Sequence, residues 1–441
     1  MFVSNVCILN MKGEKMGVYS VRGNPNYSAE AIRVDQIIEY SGMDRLVGIP
    51  FAGNVALVPK GKYKVGDTVV AFPAESQLSE VVCFGNNLYS DTTKNKDPMA
   101  PRGYMGKQRR VRAIKLRGVV SSALVLDSEL FGNPDVGTKF DHVGDIEVCR
   151  KYEPPVRVAT SARSNNQPKK KRDFDETVFP RHYDTLQFLR NKDRLDPDKV
   201  AYITQKLHGT SVRIGNVWVK SPRSWTDRIK ARLGMSVRDH YTARLVGGSR
   251  KVIKDPTDSS QTHWYASDVW SEAAKMYGEL IPPGHVVYGE LIGWVSENAP
   301  IQRGYTYDVP NGEMRLVVYR VAYVDFLGQV TEFSFDAMRE FCAERGLTPV
   351  PLLYHTDGDM VEVIVRANNL IDSHLSWFNS SGTEDFFFFT DPAIPLCSES
   401  PCDEGIVIRQ DGLTPTFLKW KSGLFLEYET KELDSGDNPE G

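Results

Sequence analysis

A lysine, two glutamates and a pair of lysines follow one another along this chain in an order suited to phosphoryl chemistry. The first lysine lies in Lys206-Leu207-His208-Gly209-Thr210-Ser211. It is followed by Tyr288-Gly289-Glu290-Leu291, by Asp403-Glu404-Gly405-Ile406-Val407-Ile408-Arg409 and by Leu418-Lys419-Trp420-Lys421. A lysine amine attacks the α-phosphorus of a nucleoside triphosphate only when it is neutral and in line, whereas its ordinary pKa is about 10.4. Nearby positive charge must therefore disfavour the ammonium form. Lys419 and Lys421 supply that charge, and they also offset the charge that builds on the α-phosphate oxygens during attack. In an extended strand the two lysines project from one face and Trp420 from the other. Glu290 and Glu404 suit a divalent cation, a ribose hydroxyl or both, because Mg²⁺ and Mn²⁺ prefer carboxylate and water oxygens. Each segment alone reads as the polar end of a buried strand. Their conjunction points to covalent nucleotidyl transfer.

Such residues need strands to hold them, and the chain carries strand signals on both sides of a break. Residues 1–152 contain short β-prone runs at 55–58, 68–72, 81–84 and 119–125, interrupted by Gly, Pro and Asn, which predict a small β-barrel. Residues 153–177 hold Pro154, Pro155, Ser161, Asn165, Pro168 and the run Lys169-Lys170-Lys171-Arg172, which is linker composition. That basic run also resembles a nuclear localisation tract and equally suits steering of RNA. In residues 178–434, strand 200–204 leads into Lys206 in a loop at a strand edge. Ser224 with Asp227 caps a short helix whose Ile229 and Leu233 face inward. Further helices are predicted over about 267–280 and over 335–345, the latter with Ser334 as cap and Gly346 as stop. The run 386–389 reads as a doubly buried strand. The expected class is α+β with antiparallel sheets, ending in an acidic tail at 435–441.

The ordered motifs resemble those of the covalent nucleotidyltransferases: ATP-dependent DNA ligases, RNA ligases and messenger-RNA capping enzymes. His208 stands where most members have aspartate. The His-bearing version followed by Thr210 and Ser211 is similar to the Deinococcus-type ATP-dependent RNA ligases. That resemblance implies an N-terminal OB fold followed by a nucleotidyltransferase (ATP-grasp-like ligase) domain, with ATP and Mg²⁺ or Mn²⁺ as cofactors. It implies Lys206 as the adenylylated nucleophile and His208 with Gly209 as residues shaping the site. Arg223, in Ser221-Pro222-Arg223-Ser224, would contact ribose and the phosphate of an RNA end. Glu290 would bind ribose, Glu404 the metal, Lys419 and Lys421 the α-phosphate, and Tyr319 would stack on adenine. Gln205 stands where many RNA ligases have glutamate, and its amide offers both donor and acceptor to the adenine edge. The implied activity joins RNA 3′-hydroxyl and 5′-phosphate ends, at nicks in duplexes, through lysyl-AMP and an RNA-adenylate. The alternatives are a GTP-dependent capping-type guanylyltransferase and a catalytically lapsed RNA-binding protein.

Composition fits a globular chain of two or three domains, with 41% hydrophobic and 25% charged residues in 441. No apolar run approaches the roughly 18 residues of a membrane helix, and the first ten residues are too polar for a secretory signal, so the expectation is a cytoplasmic protein without a membrane partner. Six scattered cysteines without zinc spacing predict reduced thiols. The net charge of −3 opposes overall attraction to a polyanion, but basic residues cluster locally. Arg102, Lys107, Arg109, Arg110, Arg112, Lys115 and Arg117 lie together without an intervening acid, and positions 223–254 hold nine basic residues against Asp227 and Asp239. Such stripes are the footprint of phosphate-backbone binding, with Arg110 and Arg112 alternating on one strand face, and they point to RNA or an RNA-containing duplex as partner. No obligate protein partner is implied.

Overall fold

The short apolar runs of the N-terminal part form strands of two to six residues, each long enough to bury one or two side chains per face. The computed structural model describes residues 18–154, 174–257, 268–356, 359–371 and 390–435. They divide into two compact units, one drawing on 18–154, 186–190 and 421–435, the other on 174–185 and 191–420.

In the first unit, β1 (Ala29–Arg33), β2 (Leu46–Phe51), β3 (Asn54–Pro59) and β4 (Thr68–Pro73) precede α1 (Glu80–Gly85), β5 (Ala123–Asp127) and β6 (Lys139–Phe140). The order β5-β4-β1-β6 makes an antiparallel sheet. β2 and β3 form a hairpin whose two-residue turn, Ala52-Gly53, has positive φ at both positions, matching the right-handed strand twist. Both faces of the main sheet are covered, because Val70 and Phe72 enter one apolar cluster while Val69 and Ala71 enter another. The unit is β-rich as expected, but its described strands fall into separate small sheets and form no closed barrel. The run at 81–84, expected as a strand, is helical. Ser79 Oγ accepts the Val82 N–H at 3.3 Å, and α1 buries Val82 and Cys83 while leaving Val81 and Phe84 exposed. A four-residue apolar run has no period of its own, so the cap decides.

The second unit carries β7 (Ala201–Lys206), β8 (Thr210–Lys220), α2 (Trp225–Arg232), β9 (Tyr241–Gly248) and α3 (Val269–Tyr277). These are followed by β10 (His285–Ser296), β11 (Met314–Val324), α4 (Phe335–Arg345), β12 (Leu352–Thr356) and α5 (Met360–Ile371), then by β13 (Gly405–Gln410) and β14 (Thr416–Lys421). Two sheets result. One holds β9-β8-β10-β11 at its centre, and the other has the order β12-β7-β13-β14. β7 is thus central rather than at an edge, paired antiparallel to both β12 and β13. α4 keeps its predicted bounds, with Ser334 Oγ accepting from Ala337 N at 3.1 Å and Gly346 closing it at φ 65°. α2 forms behind its Ser224 cap, but Ile229 and Leu233 are exposed rather than inward. Its 20-residue excursion springs from the far end of the β8–β9 pair, where Lys220 faces Tyr241. The last helix, α6 (Gly423–Ser435), belongs with the first unit.

Most of the 153–177 linker, the 386–389 run and the end of the acidic tail lie outside the described residues, as does Cys7. The other cysteines are free, Cys83, Cys149, Cys342 and Cys402 being buried. Among the described residues no helix is long and apolar enough to cross a membrane.

Candidate active site

Lys206 is the last residue of β7. After three intervening residues the chain enters β8 of the other sheet, so the lysine sits where the backbone passes between sheets. Register then brings in the carboxylates. Lys206 pairs with Gly405 across β7–β13, which sets Glu404 beside it, and Ser211 pairs with Glu290 across β8–β10. Lys206 Nζ contacts Glu404 Oε1 at 2.7 Å, and His208 Nδ1 lies 3.9 Å from Oε2 of the same carboxylate. Glu290 Oε1 accepts the Gly209 N–H at 3.1 Å, and its Oε2 accepts Ser211 Oγ–H at 3.4 Å.

The turn is held tightly from behind. The His208 N–H donates to Tyr307 Oη at 2.7 Å, Gln302 Nε2 donates to the Gly209 carbonyl at 2.9 Å, and Tyr305 packs edge-on to the His208 ring with centroids 4.9 Å apart. A Cβ at Gly209 would meet the Leu291 carbonyl oxygen at 2.2 Å, so only glycine lets this turn approach β10. At Gly289 a Cβ would meet the Val317 carbonyl at 2.5 Å, beside a bulge in the β10–β11 register that sets the facing of the adjoining Glu290.

Electrostatics mark Glu290 out. Burial pushes its carboxyl up to about 7. Lys206 opposes the shift and Glu404 adds to it, while the Gly209 N–H and the Arg250 guanidinium also pull it down. Two carboxylates that crowd each other beside a lysine fit a divalent cation, which would join them in holding phosphate oxygens. Among the described residues no cluster of three or more His, Cys, Asp or Glu forms a preformed metal site, so phosphate and water would complete such a shell.

Tyr319 on β11 reaches the same region. Its hydroxyl shares a 2.8 Å hydrogen bond with His182 Nδ1, and burial, reinforced by Glu290, raises its pKa and keeps the phenol neutral. His182 is held neutral as well, its pKa lowered by burial and then by Arg250, Arg213 and Arg320. Tyr323, two turns of the pleat away, packs against His285 instead. β14 presents Lys419 and Lys421 on one face with Trp420 buried on the other, as alternation requires. Lys421 Nζ pairs with Glu429 Oε1 at 2.7 Å.

Three expected residues take other roles. Gln205 is buried, with Nε2 donating to the Ile394 carbonyl at 3.0 Å and to Asp403 Oδ1 at 3.1 Å, and Oε1 accepting from Ile394 N at 2.8 Å. Both its donors are committed, so it fixes the segment before β13 rather than reading a base edge. Arg223 lies beyond the far end of the eleven-residue β8, about 30 Å from the Thr210 end, and pairs with Asp239 at 3.4 Å. Arg110 is 3% exposed, facing Glu75 at 3.2 Å and Asp434 at 3.3 Å, and this burial removes it from any surface phosphate contact. Arg112 remains partly exposed and pairs with Asp434 at 3.6 Å.

The arginine that reaches this site is Arg250, at the Gly247-Gly248-Ser249-Arg250 turn after β9. Its charge bears on Glu290, Tyr319 and His182 together. Arg213 sets that turn, with Nε donating to the Ser249 carbonyl at 3.2 Å and Nη1 to the Phe179 carbonyl at 2.8 Å. An arginine just past the end of a strand after the lysine motif was the available signal, and it occurs at Arg250 after β9 as well as at Arg223 after β8.

Solved structures of similar architecture exist. The chain is similar to Naegleria gruberi RNA ligase with PPi at 15% identity and TM-score 0.53, covering 92% of this chain and 98% of that one. A mutant of that ligase with ATP and Mn matches at 15% identity and TM-score 0.51 over 95% and 100% of the two chains. Another mutant, with AMP and Mn, matches at 15% and 0.53 over 92% and 99%. At such identity the likeness is one of fold. No curated protein matches the chain. The RNA ligase family model matches residues 199–421, just over half of the 441 and the whole stretch from β7 through β14 that bears these residues, and the chain belongs to that family.

Proposed function

We propose that this chain is an ATP-dependent RNA ligase, of the His-bearing Deinococcus type, that joins a 3′-hydroxyl to a 5′-phosphate at nicks held in duplexes. The observation that carries this reading is the 2.7 Å Lys206–Glu404 pair at the mouth of a glycine turn, with Glu290 on the opposing strand. ATP and Mn in solved structures of the Naegleria ligase support ATP and a divalent cation here.

Lys206 is paired with Glu404 and becomes the nucleophile once that pair opens, the proton lost from its amine passing to water. Its nitrogen then bonds to the α-phosphorus while the bond to pyrophosphate breaks. Lys419 and Lys421 offset charge on the α-phosphate oxygens, and Arg250 adds positive charge beside Glu290, which accepts from a ribose hydroxyl. Glu404 and Glu290 would hold a divalent cation, which would supply further charge against the triphosphate. Tyr319 offers its neutral ring to adenine. AMP next passes to the RNA 5′-phosphate, breaking the phosphorus–nitrogen bond, and the 3′-oxygen finally displaces AMP. Arg112 and the basic residues of positions 223–254 hold the RNA by its phosphates.

Incubation of the full chain with α-labelled ATP or GTP and manganese tests this, followed by peptide mass spectrometry. An adenylate on Lys206 from ATP, absent in Lys206→Ala, is expected. Labelling by GTP alone would make the protein a guanylyltransferase, and no label from either nucleotide would leave it a binding protein.

A further inference from the structure

Lys421 is held by a carboxylate that its own strand does not provide. Glu429, within α6, accepts from Lys421 Nζ at 2.7 Å, and the next residue ties the helix to two segments of the N-terminal part of the chain. Thr430 Oγ–H donates to Glu75 Oε1 at 2.9 Å, its oxygen accepts the Ala113 N–H at 3.0 Å, and its carbonyl accepts from Arg110 Nη2 at 2.9 Å. Arg110 Nε faces Glu75 Oε2 at 3.2 Å, and the guanidinium lies over the Tyr152 ring, 5.0 Å from its centroid. Glu75, Arg110, Glu429 and Thr430 are all buried.

Two carboxylates and two cations are thus closed into one quartet, and every member leans on the turn of α6 that bears Glu429 and Thr430. Glu75 lies in the field of Glu429. Burial pushes the Glu75 carboxyl up to about 7, with Arg110 opposing and Glu429 adding to the rise. In a water-poor network of this kind, removing one member leaves a buried charge without its counter-charge and displaces the rest. The fixed end of the chain of contacts is the β-rich N-terminal part, and the end that carries chemistry is the ammonium of Lys421.

We propose that Glu429 is a positioning residue for Lys421, itself aimed by Glu75 and Arg110 through Thr430, so that this buried network sets how well Lys421 serves nucleotide transfer. The proposal rests on the reading of Lys421 as a ligand of the α-phosphate. Glu429 takes one of the three ammonium N–H donors and so fixes where the others point, which matters because a misplacement of about 1 Å in such a group costs up to roughly 100-fold in rate.

Single-turnover formation of lysyl-AMP by the full chain, in a double-mutant cycle, tests it. Glu429→Gln keeps the volume and a hydrogen-bond acceptor but removes the charge. It is expected to slow the rate constant about 10-fold with less than about 2-fold change in half-saturating ATP, and to change the rate less than about 2-fold in the Lys421→Met background. Glu75→Gln is expected to behave in the same way and more weakly. Equal slowing by Glu429→Gln in both backgrounds, or none in either, overturns the proposal while leaving the ligase reading intact. Failure of Glu75→Gln to fold leaves the Glu429 cycle to decide. A wild-type protein that forms no adenylate at Lys206 removes the ligase reading and this proposal together.

Discussion

The Lys206–Glu404 and Lys421–Glu429 pairs both measure 2.7 Å and both bury the carboxylate, yet their settings differ. Lys206 meets Glu404 at the junction of two sheets, with Glu290 and His208 alongside and the lysine side chain 22% exposed. Lys421 meets Glu429 on a helix turn pinned by Thr430, and its side chain is 13% exposed. On the proposed reading the first pair comes apart for the amine to react, whereas the second, braced from behind, acts by staying closed. Equal distances therefore say little about role, since what surrounds an ion pair decides whether it is exchanged or kept.

The contrast makes graded predictions. On the proposed reading Glu404→Gln removes the charge that pairs with the nucleophile and would hold a cation, so lysyl-AMP formation should fall by about 100- to 1,000-fold, well beyond the loss from Glu429→Gln. Single-turnover rates with labelled ATP compare the two directly. If Glu404→Gln costs no more than Glu429→Gln, the distinction between a reacting and a bracing pair is wrong.

The two arginines offer the next test. Arg250→Ala should lower adenylylation about 100-fold because its charge bears on Glu290, Tyr319 and His182, while Arg223→Ala at the outer end of β8 should stay within about twofold. The reverse order of effects would restore the assignment expected from sequence alone.

The smallest effect concerns stability. Glu290 binds its proton more tightly in the folded chain, with a carboxyl pushed up to about 7 against 4.5 for the ordinary value. A raised carboxyl contributes stability that is fully present below the unfolded pKa and is lost as pH rises through the folded one. Glu290→Gln escapes that loss while its amide oxygen still accepts the Gly209 N–H. At pH 8 the variant should exceed wild type by about 2 kcal/mol, discounted for partial exposure, and by nothing at pH 4. Urea unfolding at the two values measures the difference, and an equal gap at both would show that Glu290 is not perturbed.

Local order was written into the chain wherever neighbours in sequence do the work. Ser334 and Gly346 bracket α4 because a cap and a left-handed stop act within four residues. Lys419 and Lys421 share a face because a strand alternates. What the tertiary structure alone decided lies between residues far apart in number. Arg110 looked like a surface cation until Thr430, 320 positions later, and Glu75 closed over it. Gln205 looked available to a base until Ile394 claimed its amide. Arg250, rather than Arg223, comes near Glu290 because β9 returns along β8 and brings its end, not the distant α2 arm, beside that carboxylate. A sequence carries the chemistry each side chain is capable of, but burial and partnership are set by which distant segments pack together, and those terms fix charge, orientation and reach.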